Sequence, residues 1–283
     1  MKTPPFVFFG TSRFSVILLE ELKDKFNITP TLIVTAPDRP VGRKQIITPP
    51  PVKEWAIEND IDTFQPEKLK DEFFLEEIKE YELFIVASYG KIIPQIVLDL
   101  PKLGTINVHP SLLPSYRGAS PIQNQILNNE SQVGTTIMLM DAQMDHGPII
   151  SQKKVVFDEG KFPASYSDVE EKLAEESASL LAEVLPKWVS KSINPKEQDH
   201  EKATFTKIIE KPDGEINLED EPLKNYLKYL AYHEWPKTFF FFEHEDKKLR
   251  AVISEAVFED GQFIIKKVIP EGKKETDYKN FLK

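Results

Sequence analysis

The first half of the chain alternates short, unbroken apolar runs with amphipathic stretches, and that alternation leaves few folds open. Phe6 to Phe9 is a compact apolar run closed by Gly10, and Phe14 to Phe26 carries helical spacing at Phe14, Ile17, Leu18 and Leu22. Ile28–Ala36 reads as a strand, Val52–Asn59 as a helix, Ile61–Phe64 as a strand and Glu67–Tyr81 as a helix. Leu83–Ala87 and Gly104–His109 read as further strands. Strands that alternate with helices indicate a largely parallel sheet whose strands are joined by crossover helices. The class expected is α/β, a doubly wound and mostly parallel sheet with crossover helices.

The pattern changes after Val133. Thr135–Met140 and Pro148–Phe157 read as β-strands separated by a turn from Asp141 to Gly147. Ser165–Trp188 reads as one long helix, with Ser165 as cap and Asp168 three residues on. Polar residues from Pro195 to Lys202 suggest a linker. We therefore divide the chain into residues 1–190, a linker at 191–203, and a smaller unit at 204–283. That smaller unit has strand candidates at Thr238–Phe242, Leu249–Val257 and Phe263–Val268, as in a small β-barrel or sheet. Alternation along Phe239 to Phe242 would turn two of the four phenylalanines outward.

Composition removes several functions. Cysteine is absent among the 283 residues, so there is no disulfide scaffold, thiolate metal site or cysteine nucleophile. No group of histidines and carboxylates has metal-ligand spacing, and no metal is expected. A formal charge of -10 excludes bulk electrostatic binding to nucleic acid. The N-terminus lacks an apolar signal core, and no apolar run approaches the roughly 20 residues that span a membrane. A cytoplasmic protein with neither a membrane nor a DNA partner is expected. Gly10-Thr-Ser is a strand-to-helix turn without the glycines of a dinucleotide fingerprint, and Ser111 lacks a nucleophile-elbow context.

Three segments can carry chemistry. On a strand, Asn107 and His109 lie two apart and share a face, and Pro110 ends the strand there. Groups at the carboxyl end of such a strand border the ligand crevice of an open α/β sheet. An amide N–H can stabilise a developing oxyanion, and an imidazole can move a proton. Asp145, in the turn before Gly147 and Pro148, can orient His109. A loop-capping asparagine, a strand-end histidine and a turn aspartate fit the same spacings. His146 has no task in this scheme and is expected in solvent. The third segment, Pro37 to Pro51, is longer than an ordinary βα connection. From Ala36 through Lys53 the basic residues Arg39, Arg43, Lys44 and Lys53 face the single acidic Asp38. A cationic, proline-stiffened loop can meet phosphates, although a solvated loop would read the same way.

Together these stretches resemble the formyltransferase family that uses 10-formyltetrahydrofolate, over nearly the whole chain. The most specific pieces are Asn107-Val-His109-Pro-Ser-Leu-Leu-Pro114 with Arg117-Gly118, and Gly134-Thr-Thr-Ile-Met-Leu-Met-Asp141 followed by Asp145. The resemblance implies a Rossmann-like catalytic domain in which Asn107, His109 and Asp145 are catalytic. It also implies that Ser111, Leu112, Leu113 and Pro114 bind folate, and that Ala87, Tyr89 and Gly90 line the pterin pocket. The loop Ala36-Pro-Asp-Arg-Pro-Val-Gly-Arg43 is similar to that of members acting on charged initiator tRNA, where it enters the acceptor-stem region. The implied activity is formylation of the α-amino group of methionine on that tRNA, by a monomer. Arg39, Arg43, Lys44 and Arg117 are then tRNA-binding candidates. Members acting on amino-sugar nucleotides or purine precursors share the Asn/His/Asp core and lack the insertion. A non-catalytic RNA-binding relative would keep the loop and lose the three.

The last unit resembles the family's small, OB-like barrel, which helps to bind tRNA, but several residues between Glu245 and Glu259 are missing. Within it, Lys266 and Lys267, with Lys273 and Lys274, are the candidate tRNA contacts; lysines that keep a barrel edge soluble would look the same.

Overall fold

A computed structural model describes residues 3–42, 44–130, 132–157, 162–244 and 247–281. Arg43, expected to meet tRNA, lies outside the described residues. The chain forms two compact units. One takes Met1–Ala119, Gln132–Val155 and Glu170–Phe205, and the other takes Ser120–Ser131, Val156–Val169 and Thr206–Lys283.

The first unit opens with β1 (Phe6–Gly10), α1 (Arg13–Phe26) and β2 (Leu32–Val34). A hairpin of β3 (Arg39–Val41) and β4 (Ile46–Thr48) follows, then α2 (Pro51–Glu58), β5 (Asp62–Phe64), α3 (Glu72–Ile78) and β6 (Leu83–Ala87). Next come α4 (Gln95–Leu98), β7 (Thr105–His109) and the short β8 (Arg117–Gly118). After α5 (Pro121–Leu127), which belongs to the second unit, come β9 (Val133–Leu139) and β10 (Ile149–Val155). The long α6 (Tyr166–Val189) and β11 (Phe205–Thr206) complete the set.

The seven-stranded sheet runs in the order β10-β9-β7-β6-β1-β2-β5. β5, β2, β1, β6 and β7 are parallel, whereas β9 and β10 are each antiparallel to a neighbour, so the parallel sheet expected is extended by an antiparallel edge. β1 and β6 are buried at every position, as unbroken apolar runs require. Phe9 and Phe84 meet in the core at 5.4 Å between ring centroids. The chain winds from β1 toward β5 on one side and from β6 toward β10 on the other. The switch point therefore lies between β1 and β6, and the carboxyl ends there open a ligand crevice.

Four local expectations change. Residues 67–71 do not join the helix expected at Glu67–Tyr81; Asp71 caps α3 by accepting from Phe73 and Phe74 N–H, so the helix starts at Glu72. Within Ile28–Ala36 only Leu32–Val34 pairs as strand. Within Pro37 to Pro51, Arg39–Val41 and Ile46–Thr48 pair antiparallel, with Arg39 opposite Thr48 and Val41 opposite Ile46. Pro40 falls on that two-stranded ribbon, where a missing N–H costs least. Finally, Pro195–Lys202 is packed: Lys196 and Ile149 exchange two backbone hydrogen bonds, and Gln198 is 5% exposed.

In the second unit, α5 packs against α7 (Pro222–Ala231). Its four-stranded antiparallel sheet has the order β12 (Phe239–His244), β13 (Lys247–Glu259), β14 (Gln262–Pro270) and β15 (Thr276–Asp277), followed by α8 (Tyr278–Phe281). The smaller unit expected at the end of the chain is thus built on an antiparallel sheet, which among the described residues runs from β12 to β15. Strand alternation resolves the run of four phenylalanines. Phe240 and Phe242 enter the core with Phe281, while Phe239 and Phe241 take the other face. There Arg250 lies over Phe239 at 5.2 Å and Lys248 over Phe241 at 4.6 Å; Phe239 is buried and Phe241 is partly exposed.

Candidate active site

β7 ends at His109 because Pro110 cannot extend a ladder, which leaves Asn107 and His109 on the last turn of a buried strand. They are 9% and 4% exposed. Asp145 reaches them from the turn after β9. Asn107 Nδ2 donates to Asp145 Oδ1 at 3.3 Å, and His109 Nδ1 stands 3.6 Å from the same oxygen. The other carboxylate oxygen, Oδ2, accepts the backbone N–H of Gly118 at 2.8 Å. On the far side of the imidazole, Nε2 lies 3.0 Å from the carbonyl oxygen of Tyr116. A carbonyl only accepts, so Nε2 carries a proton, and Nδ1 is the nitrogen turned to Asp145. Tyr116 therefore holds one nitrogen of the ring, and Asp145 faces the other.

The turn carrying Asp145 is held from several directions. Asp145 has φ 49, a left-handed conformation that disfavours a residue with a Cβ. Gly147 passes so close to Leu139 that an added Cβ would collide with its carbonyl oxygen. Gln198 Nε2 donates to the carbonyls of Asp145 at 2.9 Å and Gly147 at 2.7 Å. Gln198 Oε1 accepts from Arg117 Nε at 3.2 Å and Nη2 at 2.6 Å.

Arg117 is thus corrected as a tRNA contact. It is 3% exposed, and its guanidinium is used within this unit. Burial works against its charge, while Asp145 and Asp141 act to keep it. Arg117 Nη2 also lies 2.9 Å from His200 Nδ1, which must accept because guanidinium only donates. His146, expected in solvent, stacks on His200 with ring centroids 4.1 Å apart and planes 3° apart, and its Nδ1 is 2.7 Å from Asp141 Oδ2. Gln198 and His200 lie in a stretch whose polar composition gave no signal of a packed role.

The expected folate residues divide into two groups. Ser111 is fully buried and its hydroxyl donates to the Ser115 carbonyl, so it shapes the loop. Leu113, 3% exposed, donates its N–H to Thr136 Oγ1 and accepts at its carbonyl from Gln152. Leu112 and Pro114 are half-buried on the same loop. At the switch point, Ala87 is buried and its carbonyl accepts from Ser15 Oγ at 2.6 Å. Tyr89 is turned into the core against Phe9, with 5.5 Å between centroids, and among the described residues its hydroxyl has no partner. Burial pushes that phenol up to about 12. Its carbonyl accepts from Thr11 Oγ1 at 2.9 Å, which ties the loops after β1 and β6 together. Gly90, exposed at φ 78, has open space around the position of a Cβ.

The hairpin is anchored at its base. Asp38 holds Lys53 Nζ at 2.9 and 3.0 Å and Gln65 Nε2 at 2.7 Å, and these bonds keep its carboxyl below the usual carboxylate range. Arg39 and Lys44 are exposed, as are Val41, Ile46 and Ile47. In the second unit Lys267 is paired to Glu255 at 2.7 Å and Lys266 stands 4.0 Å from Glu259, so carboxylates already neighbour both of these tRNA candidates. Among the described residues, no cluster of histidines and carboxylates could hold a metal ion, and no helix is long and apolar enough to cross a membrane.

An amide donor, an imidazole and a carboxylate that converge at a strand end beside the switch crevice suit transfer of an acyl-type group to a nucleophile. The profile of the formyl transferase family matches residues 3–185, and the chain belongs to that family. It is 41% identical over 240 residues to the methionyl-tRNA formyltransferase of Caldicellulosiruptor saccharolyticus, covering 84% of this chain and 76% of the relative. Among solved structures it resembles the methionyl-tRNA formyltransferase from Clostridium thermocellum, with a TM-score of 0.63, 15% identity, and coverage of 94% of this chain and 98% of that one. It resembles a 4-N formyltransferase from Francisella tularensis comparably, with a TM-score of 0.66, 20% identity, and coverage of 87% and 96%. At such identities the structural likeness speaks for the fold, not the acceptor.

Proposed function

We propose that the chain transfers a formyl group from 10-formyltetrahydrofolate to the α-amino group of methionine on charged initiator tRNA, in the cytoplasm, for translation initiation. The single observation that carries the chemistry is the approach of Asn107 Nδ2 and His109 Nδ1 to one oxygen of Asp145. The acceptor is carried by the hairpin, with Arg39 and Lys44 and the apolar Val41, Ile46 and Ile47 exposed on it, and by the relatives at about 40% identity.

The crevice has features that suit a folate. Gly90 leaves room beside the β6 loop, and Leu112 and Pro114 offer half-buried apolar surface on the β7 loop. Bound there, the folate supplies an activated formyl carbon on N10. Asn107 has a second amide hydrogen besides the one given to Asp145, and it donates that hydrogen to the formyl oxygen as negative charge develops there. The attacking amine must be neutral, and on attack it must lose a proton. His109 takes that proton at Nδ1, where it falls between the ring and Asp145, and the carboxylate stabilises the cation. The same proton then goes to N10 as the C–N10 bond breaks, so bond making and proton movement balance. Tyr116 keeps the ring from turning throughout.

The test supplies purified protein and 10-formyltetrahydrofolate with charged initiator tRNA, free methionine or an amino-sugar nucleotide. Formylation of the charged tRNA alone is expected. Preference for the sugar would keep the chemistry and overturn the assignment of the hairpin.

A further inference from the structure

We propose that Gln198 is a positioning residue for the reaction, fixing Asp145 at His109 from a segment that follows the long helix; this rests on the function proposed above. Its amide is saturated. Nε2 donates to the carbonyls of Asp145 and Gly147, and Oε1 accepts twice from Arg117. Arg117 precedes Gly118, whose N–H holds Asp145 Oδ2. A closed ring of contacts thus runs from the Asp145 carboxylate through Gly118 and Arg117 to Gln198 and back to the Asp145 carbonyl. The ring grips one residue at both its backbone and its side chain.

That grip is needed because Asp145 sits at φ 49. Left-handed backbone is disfavoured for a residue with a Cβ, less for aspartate than for most, and the neighbours' hydrogen bonds hold the turn there. Relaxation would swing the carboxylate away from His109, where the gap is already 3.6 Å. Gln198 is 5% exposed, so water does not replace its two N–H groups at little cost. Serving both a carbonyl pair and a guanidinium needs a group that donates from one end and accepts at the other, at this length. Glutamine meets that need; glutamate does not, since a carboxylate would retain Arg117 but repel the carbonyls of Asp145 and Gly147.

Gln198→Glu is therefore the informative substitution, because it conserves volume and the bond to Arg117. We expect kcat to fall roughly ten- to hundredfold while KM for folate and for charged tRNA stays within about twofold. In an Asp145→Asn background the same change should cost less than about threefold, because a residue acting through Asp145 loses its effect once the carboxylate is gone. Unchanged kcat would overturn the proposal, as would the same loss in both backgrounds, which marks a general structural role. Should Gln198→Glu fail to fold, Gln198→Ala carries the same split between kcat and KM and the same cycle. A wild-type protein that formylates no acceptor would refute the proposed function separately. The crystal structure of Gln198→Glu then decides the inference: a carboxylate withdrawn from His109 supports it, and an unmoved Asp145 overturns it.

Discussion

The backbone N–H of Gly118 donates to Asp145 Oδ2 at 2.8 Å, and this leaves Oδ1 turned toward the groups that do the chemistry. The division of labour between the two oxygens makes the carboxylate hard to replace. In Asp145→Asn one position must become an amide donor, which opposes either the Gly118 N–H or the Asn107 N–H. A loss on the order of a hundredfold or more in kcat is expected, with KM for tRNA little changed. Formyl transfer at saturating substrates, alongside a thermal unfolding curve, checks it.

Asp38 offers a way to separate acceptor binding from chemistry. It anchors the hairpin by Lys53 and Gln65, far in the chain from Asn107 and His109. Asp38→Ala should raise KM for charged tRNA several-fold and leave KM for folate and kcat close to wild type. The sign of its pH dependence follows from a lowered carboxyl pKa. The hold is complete above the ordinary carboxylate range and disappears as pH falls through the lowered value. Limited proteolysis across the hairpin should therefore accelerate under acid before the rest of the unit opens.

Tyr89 bears on stability at the opposite end of the pH scale. Burial pushes both Tyr89 and Tyr232 up to about 12. From about pH 10 the unfolded chain releases phenolic protons that the native state retains, so stability falls as pH rises toward 12. Tyr89→Phe removes a buried hydroxyl without a partner among the described residues. Its stability at neutral pH should stay the same or rise by about 1 kcal/mol, with a shallower alkaline decline. Denaturant unfolding at neutral pH and at high pH measures both.

Much of this was legible in the sequence because the informative signals were local. Unbroken runs such as Phe6–Phe9 and Leu83–Ala87 announce strands buried on both faces, and Asn107 and His109 two apart share a strand face. Asp145 is a candidate from its place in a turn before Gly147 and Pro148, but spacing does not rank it above another turn aspartate, and only the family resemblance makes it catalytic. The supporting ring was hidden for a different reason. Arg117 looks like a surface cation until Gln198, 81 residues away, takes its guanidinium. Tyr116 acts through a backbone carbonyl and Gly118 through an N–H, groups that every residue possesses. The hairpin was missed because Pro40 argues against a strand, although a two-stranded ribbon tolerates it.

Single-turnover formyl transfer to charged initiator tRNA by the wild type and Asn107→Ala, run side by side, tests the central claim most directly. Asn107 contributes an amide donor at the strand end, and its loss leaves His109 and Asp145 in place. The account predicts rapid transfer by the wild type and a rate on the order of 10²–10³ lower in the folded variant. Equal rates in the two proteins would contradict it.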